Sequence, residues 1–378
     1  MRRSSKNCLN RKLILIKPFK GIRPLKKLAK KISFPNINYL NNYKLDKKLN
    51  FLNILNNKSI FEAKKILQKL EQKKIIRQDD LDHFYLYKIT TKKKILLGIV
   101  GKINLENYDD RKILGHEKTF SERIKIRKKQ LLTFNTQITP IYTTYKINKS
   151  SQKLLKNLFK SKPNYNIKSL DNCKHELWVV NKPKLEKSVQ NYINKIKKIY
   201  ICDGHHRVQA MLKSKKKIAP MIITFPQDQV NILDYNRVLK TNLKLNKIKQ
   251  IILKNFIIKK SNNKKLKRGE IEIYLNKKWF LLKLLKKTKE LDVTILKKFI
   301  LNKILSNKNN IKFVSGIKGK KVLEKLVNTK KYNVAFKLNP TDISQVISIA
   351  EKKKFMPQKS TWFHPKPLDG IISSRIIS

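Results

Sequence analysis

Ile199-Tyr-Ile-Cys-Asp-Gly-His-His-Arg-Val208 decides how this chain is read. Its first four residues spell a short buried strand, and the residues from 208 to 216 carry helical spacing. Between them, Gly204 lets the backbone turn sharply and come close to a bound group. A helix that starts just after Gly204 aims its terminal N–H groups and the positive end of its dipole back at the turn. Arg207, in the first turn, brings a forked donor that grips a phosphate oxygen through charge-assisted bonds of about 1.5–3 kcal/mol each. His205 and His206 add donors that titrate near neutrality. Asp203 is placed to hold a metal ion on phosphate oxygens or to accept a proton. The pattern predicts a phosphate-binding turn. The plain alternative makes Asp203 an N-cap and the two histidines surface residues.

Working outward, the stretch 177–225 reads strand (177–180), helix (187–198), strand (199–202), helix (208–216), strand (220–225), a mixed α/β core. Upstream, Ser59 caps a helix over 60–73, and 84–90 with 94–105 make a hairpin. Thr119 and Glu122 form a capping-box pattern for a helix over 120–132, which sets Arg123 and Arg127 on one face. Another short helix covers 151–159. After about residue 240 the pattern changes to a hairpin (271–275 and 279–284 around Asn276-Lys277-Lys278), a helix over 292–305, strands near Phe313 and Phe336, and a helix over 341–350. The expected class is α/β, mixed α+β: a first domain over 1–238 and a smaller α+β domain over 239–378 whose tail returns to the pocket.

Composition sets the limits. The chain has 378 residues, 90 Lys+Arg against 25 Asp+Glu, a net charge of +65, and 40% apolar residues, enough for a real core. Only 12 of the basic residues are arginine, so 78 are lysine, spread over the whole length. Lys, Asn and Ile are the products of A/T-rich codons, whereas nucleic-acid interfaces favour the planar fork of Arg. The charge therefore reads first as a drifted lysine coat that binds polyanions non-specifically at low salt, with a selected nucleic-acid surface as the alternative. Three cysteines exclude a disulfide framework and fit a reducing, cytoplasmic setting. No apolar run approaches the roughly 20 residues of a membrane span, so no membrane partner is expected. Under such drift the surviving Gly, Arg, His and Pro residues rank positions. They cluster at Gly21-Ile-Arg-Pro24, Gly115-His-Glu-Lys-Thr119, Asp203 to Arg207, Asn236-Arg237 and Met356 to Pro365.

The D-G-H-H-R turn resembles the phosphate-binding motif of the ParB/sulfiredoxin-like superfamily as it appears in ADP-dependent free serine kinase. The chain as a whole resembles the bacterial domain-of-unknown-function family one-thousand-and-fifteen, often labelled SpoOJ/ParB-like. The matching residues run from Phe19-Lys-Gly-Ile-Arg-Pro24 through Gly98-Ile-Val-Gly101, His116-Glu-Lys-Thr119, Arg127, His175-Glu-Leu-Trp178 and Ile201 to Arg207. They continue with Phe225-Pro-Gln-Asp-Gln229, Tyr235-Asn-Arg-Val238, Leu291-Asp-Val293 and Met356 to Lys366.

The resemblance implies a ParB/sulfiredoxin-like core and a cytosolic nucleotide-binding protein, a small-molecule kinase or nucleotide hydrolase using Mg2+ with ADP, ATP or CTP. Asp203 and His205 would be catalytic, with Asp203 also touching the metal. Gly204, His205, His206 and Arg207 would hold phosphate. His116, Thr119 and Arg127 would form a second wall, and Arg237 and Lys359 further phosphate contacts. One departure stands out. The family's acidic P-Y-D-V motif is replaced by Ser33-Phe-Pro-Asn-Ile-Asn-Tyr39, with no carboxylate. A positioned general base is worth about 10²–10⁴ in rate; Glu117 is the substitute on offer, and without one the chain is a degenerate binder. A ParB-like DNA-associated partitioning protein is the alternative of another class, but no helix-turn-helix reader is legible after residue 225. Cys173, His175, Cys202, His205 and His206 match no zinc spacing.

Overall fold

The computed structural model describes residues 16–35, 49–55, 57, 59–105, 108, 112–214, 218–262, 264–286, 288–305 and 310–376. The chain divides into two compact units. The first comprises Met1–Leu114, Phe120–Gln229 and Pro367–Ser378, the second Gly115–Thr119 and Val230–Lys366. The strand Tyr235–Leu239, across which the boundary read from sequence falls, belongs whole to the second unit.

The strands of the first unit are β1 (Ile16–Lys17), β2 (Gly21–Pro24), β3 (Phe34–Pro35), β4 (Ile76–Gln78), β5 (Phe84–Thr90), β6 (Ile95–Ile103), β7 (Ile113–Leu114), β8 (Thr136–Gln137), β9 (Ile141–Tyr145), β10 (Tyr165–Lys168), β11 (Lys174–Val180), β12 (Ile199–Asp203) and β13 (Met221–Pro226), joined by the short strands Leu368–Asp369 and Ser373–Arg375 near the C-terminus. Its longer helices are α1 (Ile60–Gln72), α2 (Ser121–Phe134), α3 (Lys149–Asn157), α4 (Pro183–Ile193) and α5 (His205–Leu212). The main sheet runs β10-β11-β5-β6-β13-β9-β12-β7, with β1 on β6. β9 pairs antiparallel with β12 and parallel with β13, so the strands before and after α5 flank it rather than each other. This is the mixed α/β class expected from the alternation over 177–225. Ile199 and Ile201 of β12, Val189 and Ile193 of α4, and Val208 of α5 share one buried cluster with Leu86 and Ile99 of the central hairpin. Both faces of such strands are covered, which is why they read as near-continuous apolar runs.

α5 lies against α2 through Ile124 and Leu131 on one side and Ala210 and Met211 on the other. That packing carries the arginines of α2 to the start of α5. The capping box expected at Thr119 does not form. The N-cap of α2 is Phe120, one residue later, so Thr119 is out of place for it. The Phe120 N–H instead donates to Nε2 of His206, at 3.2 Å.

The second unit holds β14 (Ile232–Leu233), β15 (Tyr235–Leu239), β16 (Phe256–Lys260), β17 (Glu270–Leu275), β18 (Lys278–Leu284), β19 (Ile311–Ser315) and β20 (Val334–Leu338). Six of them form an antiparallel sheet ordered β16-β18-β17-β20-β15-β19. Asn276 and Lys277 turn the β17–β18 hairpin with φ of 49° and 57°, the left-handed pair that matches the strand twist. The single helix expected over 292–305 is interrupted by a π-helical turn, Lys297–Leu301.

Glu272 of β17 is a buried carboxylate of this sheet. Burial pushes its carboxyl up, but the bonds from Lys320 (2.6 Å) and Ser261 and the charge of Lys337 (3.3 Å) outweigh that and hold it below the usual carboxylate range. A native value below the unfolded one adds stability above the ordinary carboxylate pKa, and that stability disappears as pH falls through the depressed native value. Glu272→Gln is therefore expected to cost about 1.5–3 kcal/mol at neutral pH, with the difference from wild type closing in acid. Urea unfolding of both proteins across the acid range checks this.

Candidate functional site

The turn after β12 is built by three local devices. A register shift between Ile201 and Asp203 bulges the strand where it meets the turn, and bulges re-aim the side chains beside them. Gly204 takes φ 108°, and a Cβ there would lie 3.0 Å from both Ile141 Cδ1 and Arg207 Nη2, so only glycine fits. The N–H groups of Arg207 and Val208 both return to the Gly204 carbonyl, at 2.9 and 3.0 Å, and start α5.

Arg207 does not present the free two-pronged fork expected from the sequence. Its Nη1 donates to the carbonyls of Thr139 (2.7 Å) and Pro140 (2.9 Å), bracing the turn against the entry to β9. Its Nη2 stands 3.8 Å from the Asp203 carboxylate, which is itself half exposed. The physical reason is topological: β9 neighbours β12, so its entry offers two carbonyls within reach of the side chain.

Arg123 and Arg127 complete a group of three guanidiniums. Arg127 is exposed, donates to Gln130 Oε1 at 2.7 Å, and sits in the fields of Arg207, Arg123, Asp203 and Asp369. Local desolvation first and the Arg207 charge second push its pKa down; Asp203 and Asp369 pull the other way. Arg123 lies over the Phe120 ring, 5.8 Å from its centroid, and Phe120 stacks on His206 at 6.0 Å. His205 is buried. Burial also drives the Cys202 thiol well above its ordinary value, which leaves it a neutral packed group rather than a nucleophile.

Asp369 is the residue that the sequence reading missed. It is buried on the strand Leu368–Asp369, whose partner is β3, with Asp369 opposite Phe34. A carboxylate thus stands across from the start of the stretch that lacks one, of which residues 36–39 fall outside the described residues. The available signal was a second Asp-Gly pair: Gly370, like Gly204, has a positive φ, here 82°.

His116, Glu117, Thr119, Arg237 and Lys359 belong to the second unit. Four of them gather there. The His116 carbonyl accepts the Met356 N–H (2.8 Å), its ring meets Phe363 at 6.2 Å, and Glu117 bridges to Met356. Arg237 is buried; it donates to the Lys359 carbonyl (3.0 Å) and to that of Tyr235, and lies 5.4 Å over the Phe313 ring. Burial pushes its pKa down to about 9. Lys359 covers the Tyr235 ring at 5.7 Å. The other arginine singled out by rarity, Arg23, is bound to Asp79 and to the Tyr165 hydroxyl (3.1 Å) in the first unit.

The family described as "Protein of unknown function (DUF1015)" matches residues 16–298, and the chain belongs to it. Among curated proteins none matches. Among solved structures the chain is similar to SbnI with a C-terminal truncation from Staphylococcus aureus, at 11% identity and a TM-score of 0.44, covering 71% of this chain and 85% of that one. It is similar to a free serine kinase variant in complex with AMP, at 12% identity and a TM-score of 0.41, covering 70% and 86%. A conserved hypothetical protein from Pyrococcus furiosus gives 12% identity and a TM-score of 0.37, covering 71% and 91%. All three likenesses are distant. No helix among the described residues is long and apolar enough to cross a membrane.

Proposed function

We propose that the first unit binds the phosphates of a nucleotide at the start of α5, and that Arg127 is the cationic arm of the site. One observation carries this reading: Arg207 lies in the first turn of α5 beside Asp203, Arg123 covers Phe120, which stacks on His206 of the same turn, and Arg127, one turn along α2 from Arg123, feels the charges of Arg207, Asp203 and Asp369. In a chain with 12 arginines among 90 basic residues, three at one helix start is not the pattern of a drifting lysine coat. Like charges held together raise the free energy of the empty protein, and a bound polyanion relieves it. The positive end of the α5 dipole adds to the same field. Arg207 acts as the brace of the turn, with Nη2 towards the ligand side, and Asp203 is exposed enough to share a Mg2+ ion with phosphate oxygens.

The finer reading is phosphoryl transfer to a small acceptor, or nucleotide hydrolysis, in the manner of the ParB/sulfiredoxin-like enzymes. Such chemistry is mostly positioning and charge stabilisation. Asp203 is the carboxylate placed to handle a proton or the metal, and Asp369 the buried one behind Arg127.

Thermal unfolding with ADP, ATP and CTP, each with Mg2+, tests the proposal. Ligand at a hundredfold over its Kd is expected to add about 2.7 kcal/mol of stability. Absence of any shift at millimolar nucleotide overturns it. Phosphate release in the presence of a panel of amino acids and sugars then separates an active enzyme from a binder.

A further inference from the structure

The turn between β10 and β11, Ser169-Leu-Asp-Asn-Cys-Lys-His175, brings three different donors together. Asn172 takes φ 61°, and the Ser169 N–H closes the turn on the Cys173 carbonyl at 2.9 Å. Cys173 and His175 are two residues apart, so their side chains leave the same face. Asp171 reaches that face from the turn. A carboxylate oxygen, the sulfur and an imidazole nitrogen of these residues all lie within 4.8 Å of one another. Around a tetrahedral zinc with bonds of about 2.0–2.3 Å, donors stand about 3.3–3.8 Å apart. The three need to close by little more than about 1 Å.

The surroundings favour a cation. Cys173 and His175 are 3% and 0% exposed. Asp171 Oδ1 accepts from the Cys173 N–H at 3.2 Å and from the Ser169 hydroxyl, while its Oδ2 is buried with no hydrogen-bond partner among the described residues. Such an oxygen is costly in a low-dielectric setting. A divalent cation suits such a turn, because a thiolate and a carboxylate together neutralise it. The Tyr87 hydroxyl shares a 2.9 Å bond with His175 Nδ1 and orients the ring, as an outer partner fixes a ligating histidine.

We infer that Asp171, Cys173 and His175 form a site for a borderline-soft divalent cation of the zinc class, with a fourth position for water or an outside donor. The thiolate excludes hard cations such as Mg2+ as the preferred occupant. On binding, the S–H bond of Cys173 breaks, its proton goes to solvent, and the sulfur lone pair forms the bond to the metal; nothing is oxidised or reduced. The site is independent of the nucleotide proposal.

The test uses the full chain, stripped with a chelator and titrated with Co2+, then with Zn2+. Expected are saturation at one equivalent, a thiolate-to-cobalt charge-transfer band abolished by zinc, about one proton released per metal, and a melting midpoint about 5 °C higher with zinc in hundredfold excess over its Kd. The band should survive in a Cys8→Ser, Cys202→Ala background and disappear when Cys173→Ser is added. Asp171→Asn, the mildest change, should weaken cobalt binding at least about tenfold and keeps the test intact if Cys173→Ser does not fold. A wild-type chain with no charge-transfer band, or a band that persists in Cys173→Ser, shows that the turn is only a hairpin turn and overturns the inference.

Discussion

Arg127→Ala is expected to weaken nucleoside diphosphate binding about ten- to hundredfold while leaving the free protein at least as stable as before. The first part follows from removing one charge-assisted contact to phosphate, worth about 1.5–3 kcal/mol, where 1.4 kcal/mol is tenfold in affinity. The second follows from what Arg127 does in the unliganded chain. It is exposed, it donates to Gln130, and the strongest charge acting on it is the like charge of Arg207. Removing it relieves repulsion, so stability should stay within about 0.5 kcal/mol or rise. Arg207→Ala cannot separate the two effects. It deletes the brace to Thr139 and Pro140 as well as any ligand contact, so binding and stability should fall together. Calorimetric titration with ADP and Mg2+, beside urea unfolding of the same variant, reads both quantities. A variant that loses stability but keeps its affinity would make Arg127 a structural residue.

Arg237→Ala is expected to produce the largest loss of stability among single substitutions in the second unit, about 3–5 kcal/mol. Its side chain is 2% exposed, and its donors serve the carbonyls of Tyr235 and Lys359. Truncation leaves a cavity under Phe313 and strips two buried acceptors of their donor. The guanidinium itself is costly to bury: burial pushes its pKa down, and among the described residues no carboxylate contributes to holding it up. Arg237→Met, which fills the same space without the charge, should therefore cost much less, under about 2 kcal/mol, because it removes the desolvation cost along with the bonds. Urea unfolding of the two variants checks the order. An equal loss in both would mean that the carbonyl bonds, not the packing, hold this end of β15.

These two arginines also show what was legible in the sequence. Several local signals were reliable. Ser59 caps α1 by accepting the Glu62 N–H, β5 and β6 pair as the expected hairpin, and Asn276 turns β17 into β18. Each depends on residues a few positions apart, where backbone propensity and side-chain period decide. What was hidden depends on distant partners. Arg207 reads as a phosphate fork until β9 is known to run beside β12 with two carbonyls in reach. Arg237 reads as an ion-pair or phosphate residue until it is seen buried against Phe313. Asp369 carries no periodic signal, and its relevance appears only when its strand pairs with β3. His206 reads as a phosphate donor, yet its Nε2 accepts the Phe120 N–H at the start of α2. The segment Gly115–Thr119 joins the second unit although its neighbours on both sides belong to the first, and no short-range pattern marks that crossing.

A crystal structure of the full chain grown with ADP and Mg2+ tests the nucleotide site most directly. The expected result is a phosphate group at the start of α5, contacted by Arg127, with the Arg207 bonds to Thr139 and Pro140 retained. Nucleotide bound elsewhere on the chain, with the Arg127 side chain unengaged, would contradict it.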